Sequence, residues 1–168
     1  MSRLTMAAIL FSLAQWHIPA SALFADSGEA ISPFLVRVQM TKWPLPTRDP
    51  PPRIERDEHG RIVVLWLDGV KLEPGDIEVI RSFKQLRRLG LSYTTISDQQ
   101  LAALADLPRL EGIRLNYTAI GDEGVASLAK FPKLKSVCMF RIPATPQAVQ
   151  ALKRERKQIS IGYGPVGK

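Results

Sequence analysis

The chain has 168 residues, 45% of them hydrophobic and 23% charged, with a formal net charge of +7. A single cysteine, Cys138, excludes a fold that depends on paired disulfides, and two histidines, His17 and His59, leave little material for catalysis built on an imidazole base. The basic balance points to anionic partners without naming one.

Residues 1–22 read as a secretory signal. Arg3 supplies a positive start, the run from Leu4 to Ala14 is broken only by Thr5 and Ser12, and Pro19-Ala20-Ser21-Ala22 offers a small-residue site with cleavage expected after Ala22. The run is shorter than the roughly 20 apolar residues that span a bilayer. No cysteine comes directly after it, so lipid attachment of the bacterial lipoprotein kind is not expected. The expected mature chain is exported, to a periplasm, a cell envelope or the medium, without a transmembrane segment. Losing Arg3 takes its charge from +7 to +6.

Residues 23–52 form an extension of different composition. Phe34 to Met40 alternates at Val36, Val38 and Met40, which suggests a strand. Pro44, Pro46, Pro50, Pro51 and Pro52 then make a stiff extended linker, and nothing else marks it as a ligand for a proline-recognising module. Residues 53–61, together with Ile62 to Leu67, read as a hairpin that turns at Asp57 and Gly60 and caps the open end of the C-terminal region.

From Ile62 onward one pattern recurs, most clearly at Leu86, Leu110 and Leu134, which stand 24 residues apart. A fixed period of this length marks units that bury an apolar face only by stacking on their neighbours. With Ile62, Leu86, Leu110 and Leu134 as position 1, positions 4 and 6 hold Leu65 and Leu67, Leu89 and Leu91, Ile113 and Leu115, Val137 and Met139. Position 11 holds Leu72, Ile96, Ile120 and Ala144. Positions 16, 19 and 22 are apolar in every unit except at Glu155, in the last one. The apolar period changes from 2 to 3 within each unit, so each reads as strand, loop and helix. Ser97 with Gln100 spells a capping box, Thr145 precedes Pro146 at a first helical position, and Pro74 takes the equivalent place in the first unit. Ile159, Ile161 and Tyr163 alternate and suggest one last strand before the chain ends.

The spelling LxxLxLxxTxIxDxxLxxLxxLPx from Leu86 to Arg109, repeated with Gly121, Val125 and Phe131 from Leu110 to Lys133, resembles the leucine-rich repeat of bacterial proteins with 24-residue units. The resemblance runs from Ile62 to Lys157. It implies an α/β fold: a short solenoid of about four strand-loop-helix units, with a parallel sheet on the concave face, helices on the convex face and an N-terminal hairpin cap. Position 9, often Asn in such repeats, is Thr94 and Thr118 here. At Val70 and Ile142 it cannot hydrogen-bond at all, so looser or differently satisfied loops are expected in the outer units.

If positions 4 and 6 point inward, alternation sends positions 3, 5 and 7 to the concave face, with position 8 at its rim. The candidate partner-binding residues are therefore Trp66, Asp68, Arg88, Ser92, Tyr93, Arg114, Asn116, Tyr117, Phe140 and Arg141. Basic residues gather where helix runs into strand, among them Arg87, Arg109, Lys133, Lys135 and Lys157, and acidic ones where strand runs into helix. Helix dipoles favour that sorting by themselves, and an anionic polymer or envelope surface is the ligand it would suit. Nucleic acid is disfavoured by export and by the lack of a reading motif.

Enzymatic chemistry is not expected. His59 sits in the expected hairpin turn, Asp57, Glu58 and His59 are adjacent residues pointing in alternating directions, and Asp98 and Asp122 read as first-turn helix residues. No cofactor and no metal site is expected. The function expected is an exported, non-enzymatic module that recognises a protein or envelope component through its concave face. The alternatives are a self-associating structural envelope protein and, from the family resemblance, a proteinaceous inhibitor of another enzyme.

Overall fold

The computed structural model describes residues 33–40 and 53–165. The expected signal at 1–22 and the proline-rich linker lie outside the described residues. Six strands form one mixed sheet in sequence order. β1 (Arg53–Arg56) runs antiparallel to β2 (Ile62–Trp66), and β3 (Arg88–Gly90), β4 (Gly112–Arg114), β5 (Ser136–Ile142) and β6 (Ser160–Pro165) continue the sheet in parallel.

Each parallel step is a shift of one 24-residue unit. Leu65 pairs with Leu89, Leu89 with Ile113, Ile113 with Val137, and Val137 with Ile161. Parallel strands need a crossover connection. Here the crossovers contain α2 (Asp76–Ser82), α3 (Asp98–Ala103), α4 (Asp122–Ser127) and α5 (Pro146–Glu155), with a 3-10 turn continuing α3 at Leu104–Asp106 and α4 at Leu128–Lys130. Ile80, Leu101, Val125 and Leu152 from these helices join the strand residues in one apolar core.

The segment expected as a strand is instead α1, a helix over Pro33–Met40. Phe34, Leu35 and Val38 are buried, a spacing that belongs to one helical face, and Pro33 stands at the first helical position where its missing N–H costs nothing. The period-2 pattern misleads because it leaves out Phe34 and Leu35, which join Val38 in the core.

Position 9 is an inward slot. Thr94 and Thr118 are buried and donate their hydroxyls to the Leu91 and Leu115 carbonyls at 2.7 Å. Val70 and Ile142 are buried as hydrocarbon instead. The first loop is held by the Val70 N–H, which donates to the Leu67 carbonyl at 2.8 Å. In the last unit there is no loop at this point, because β5 continues through Ile142 and pairs with Pro165 of β6. Leu72, expected inward, is only half-buried.

Asp98 and Asp122 do more than start helices. Asp98 Oδ1 accepts from the Gly121 N–H at 2.9 Å, and Asp122 accepts from the Thr145 N–H at 2.6 Å and the Thr145 hydroxyl at 2.9 Å. Each carboxylate ties its own helix start to the residue that caps the next helix. Gly124 gives Asp98 room: a Cβ there would lie 2.4 Å from Asp98 Oδ1 and 2.8 Å from Ile120 Cγ2.

At the hairpin turn the Asp57 carboxylate accepts from Arg61 Nε at 2.8 Å and from the Arg61 and His59 N–H groups at 3.0 Å. The Arg61 guanidinium, helped by those N–H groups and opposed by partial desolvation, holds the Asp57 pKa down at about 2, against an ordinary 3.8.

Gly124→Ala should destabilise the protein by about 1 to 3 kcal/mol in urea unfolding, although Ala is favoured over Gly inside a helix by about 1 kcal/mol. A stabilised variant would show that Asp98 does not need this space. Because the folded Asp57 pKa lies below the unfolded one, its contribution is present above about pH 4 and fades as pH falls toward 2. The stability difference between wild type and Asp57→Asn should shrink over that window, and a difference constant down to pH 2 would contradict the assignment.

Candidate functional site

The rim of the sheet is set by an unusual backbone. Position 8 lies in the left-handed region in all four units: Gly69 (φ 73°), Tyr93 (φ 58°), Tyr117 (φ 55°) and Arg141 (φ 57°). Glycine adopts this conformation without strain, whereas a side chain costs roughly 1 to 2 kcal/mol. The backbone ladder enforces it. The Gly69 N–H donates to the Ser92 carbonyl at 2.7 Å, Tyr93 to Asn116 at 2.8 Å, and Tyr117 to Phe140 at 2.8 Å. Strain of this kind persists where its surroundings over-determine it, and it clusters at functional sites.

The two tyrosines, held in the same backbone conformation one strand apart, stack on each other. Their ring centroids are 4.5 Å apart with planes 12° from parallel, a contact worth about 0.5 to 1.5 kcal/mol. Tyr93 is half-buried, and Tyr117 is 47% exposed. Phe140 is 45% exposed, and its ring lies against Gly162 and Gly164, whose added Cβ atoms would come within 3.1 and 2.9 Å of it. Arg141 is exposed beside it. The asparagine preceding Tyr117 fixes Phe140, since Asn116 Oδ1 accepts from the Phe140 N–H at 2.9 Å.

The inner part of the face is a packed floor. Trp66 pairs laterally with Gly90, and Gly90 with Arg114. The indole leans over the glycine so closely that a Cβ at residue 90 would lie 2.3 Å from Trp66 Cε3 and 2.7 Å from Asp68 Oδ2. The Arg114 guanidinium then sits 4.2 Å above the indole, a cation–π contact of about 0.5 to 2 kcal/mol. Asp68 Oδ1 accepts from the Ser92 N–H at 2.7 Å. Trp66, Asp68 and Ser92 are all buried. These three expected contact residues therefore support the face instead of presenting it, because the indole and the carboxylate each reach across to the neighbouring strand. Trp66 Nε1 and Ser92 Oγ are buried and find no hydrogen-bond partner among the described residues.

The residues that the structure leaves accessible are Arg88, Tyr117, Phe140 and Arg141, with Tyr93, Arg114 and Asn116 half-buried. Pattern reading along the sequence does not expose the strained rim, yet a signal for it is there. Gly69 occupies the slot of Tyr93, Tyr117 and Arg141, and a glycine in one copy reports the backbone that every copy shares.

The acidic edge is largely spent on the Asp98 and Asp122 ties. Arg87, Arg109, Lys133, Lys135 and Lys157 remain exposed on the opposite edge, with Lys135 3.3 Å from Glu111. Among the described residues no group of three or more His, Cys, Asp or Glu side chains is placed to hold a metal ion, and no helix is long and apolar enough to cross a membrane. Cys138 is a half-buried free thiol.

Gly90→Ala should force the indole off its seat. We expect a loss of about 1 to 3 kcal/mol in unfolding and a changed near-ultraviolet circular dichroism from Trp66. A neutral substitution with an unchanged aromatic signal would contradict the packing.

No protein-family model matches the chain, and no curated protein matches it. Eight solved chains match. One, described as the Leiomodin-1 Actin-Binding Site 2, aligns with a TM-score of 0.47 at 11% sequence identity, over 60% of this chain and 69% of the other. A likeness at that level carries no functional argument.

Proposed function

We propose that this chain is a short leucine-rich-repeat solenoid of the bacterial 24-residue kind, exported and non-enzymatic, that recognises a protein or anionic envelope component through the rim and outer part of its sheet face. The lateral rows of Leu89, Ile113 and Val137 support the architecture. One observation carries the function: Tyr93 and Tyr117 are kept in a strained backbone conformation, stacked on each other, with Tyr117 about half exposed.

The arrangement suits binding for a physical reason. A tyrosine offers a large amphipathic surface with few rotors, and a ring already stacked on its neighbour loses little further freedom when a partner lands on it. Phe140, held by the glycines beneath it, extends the apolar strip, and Arg141 ends it with a cation. The partner it fits has a flat apolar patch bordered by negative charge.

Replacing both tyrosines by glycine separates binding from folding. Glycine relieves the left-handed strain at both positions while losing the stack and gaining unfolded-state entropy, so stability should change by no more than about 1 kcal/mol. Affinity capture from the native envelope should fall by about tenfold or more relative to wild type. Capture of the same partner at wild-type strength by Tyr93→Gly/Tyr117→Gly would reject the rim as the recognition surface.

A further inference from the structure

The two edges of the sheet are built on opposite principles. In β1 every residue but Ile54 is charged, the register slips between Glu55 and Arg56, and Arg53 pairs with Glu55 at 2.8 Å. Charges and bulges are the devices that keep a foreign strand off an edge. β6 carries no such charge, although its pairing with β5 also shifts register, between Phe140 and Ile142. Its six residues, Ser160–Pro165, include no charge, and the only proline is the last, while the inner strands β3 and β4 have three residues each.

The direction of the hydrogen bonds defines what β6 offers. At position 6 the N–H points to the following strand: Leu67 donates to Gly90, Leu91 to Arg114 and Leu115 to Cys138, at 2.8 to 2.9 Å. The equivalent residue in β6 is Tyr163. Ser160 N, by contrast, donates back to the Lys135 carbonyl at 2.8 Å. Alternation along the strand therefore turns the backbone groups of Ile161 and Tyr163 outward, and among the described residues no strand lies beyond them. Their side chains are half-buried at the open end of the core, with the Tyr163 hydroxyl donating to the Ala144 carbonyl at 2.8 Å.

We propose that β6 is the docking edge for a second copy of this chain, the two β6 strands pairing antiparallel about a two-fold axis at Gly162. In that register Ile161 exchanges both hydrogen bonds with Tyr163 of the second copy, and Tyr163 with its Ile161. Gly162 faces itself at the non-hydrogen-bonded position, where strands approach to about 4.5 Å between Cα atoms. On the core side, Ile161 and Tyr163 form cross-strand apolar pairs that cover the ends of both cores. On the other side, Gly162 and Gly164 carry no side chains and are already roofed by Phe140 of their own copy. The contact is self-complementary and closed, whereas β6 laid on β1 of a neighbour would meet the charged edge. Two six-stranded sheets become one, with both tyrosine rims on it. The inference stands independently of the proposed binding function.

Sedimentation velocity on the chain from about 1 to 200 μM should show a monomer–dimer equilibrium, in the weak range expected of an interface this small. Ile161→Pro removes an outward N–H and no bond to β5, so it should leave a monomer that melts within a few degrees of wild type. Gly162→Cys, made together with Cys138→Ser and with Phe140→Ala to clear the ring over residue 162, should give a disulfide-linked dimer under mild oxidation. A wild type that stays monomeric throughout overturns the proposal. So does a dimer that survives Ile161→Pro and fails to cross-link through residue 162. If Ile161→Pro misfolds, the cross-link alone decides.

Discussion

Each strand of this protein meets the next after a shift of one whole unit, so the residues at one position form a straight row across the sheet. Leu65, Leu89, Ile113, Val137 and Ile161 make such a row. The constraint is severe because side chains alternate with a period of two. A unit longer or shorter by one residue would send its apolar set to the wrong face and leave its neighbours without a floor. The rest of the fold depends on keeping that count. The helices cover the same row from one side, the Asp98 and Asp122 carboxylates reach the next cap at a constant offset, and the buried threonines close equivalent loops.

The row also explains why strain can accumulate without unfolding the chain. Position 8 of each unit takes the left-handed conformation, and at Gly69, Tyr93 and Tyr117 its N–H is bonded to the next unit. A tyrosine there is disfavoured locally and held globally. The conformational cost is borne by the core, and the rings come out in parallel because their backbones are parallel. A rigid aromatic pair on the surface is thus a product of the repeat geometry, with no need of a pocket around it.

The ends of the stack break the symmetry. At the N-terminal end, α1 and the charged strand β1 close the core, with Phe34, Leu35 and Val38 supplying the apolar cover that a preceding unit would have provided. At the other end α5 leads into β6, where Ile161 and Tyr163 are half-buried. One end is finished with charge, the other with glycine and an uncharged strand.

The amino-acid sequence by itself determined the unit length, the inward residues of strands and helices, the capping of α3 and α5 and the hairpin turn at Asp57 and Gly60. All of these are local or strictly periodic, and a period survives in one dimension. Tertiary structure decided what no period carries. Phe34 to Met40 became a helix because the open end of the core needed one broad apolar face there. Trp66, Asp68 and Ser92 became a floor because Gly90, a unit away, left space for the indole to lean. Asp98 and Asp122 became ties between units because the next helix cap arrives within hydrogen-bond distance only after stacking. Sequence spacing says which residues share a face; contact between residues a unit apart depends on how side chains of particular sizes settle once the strands lie side by side.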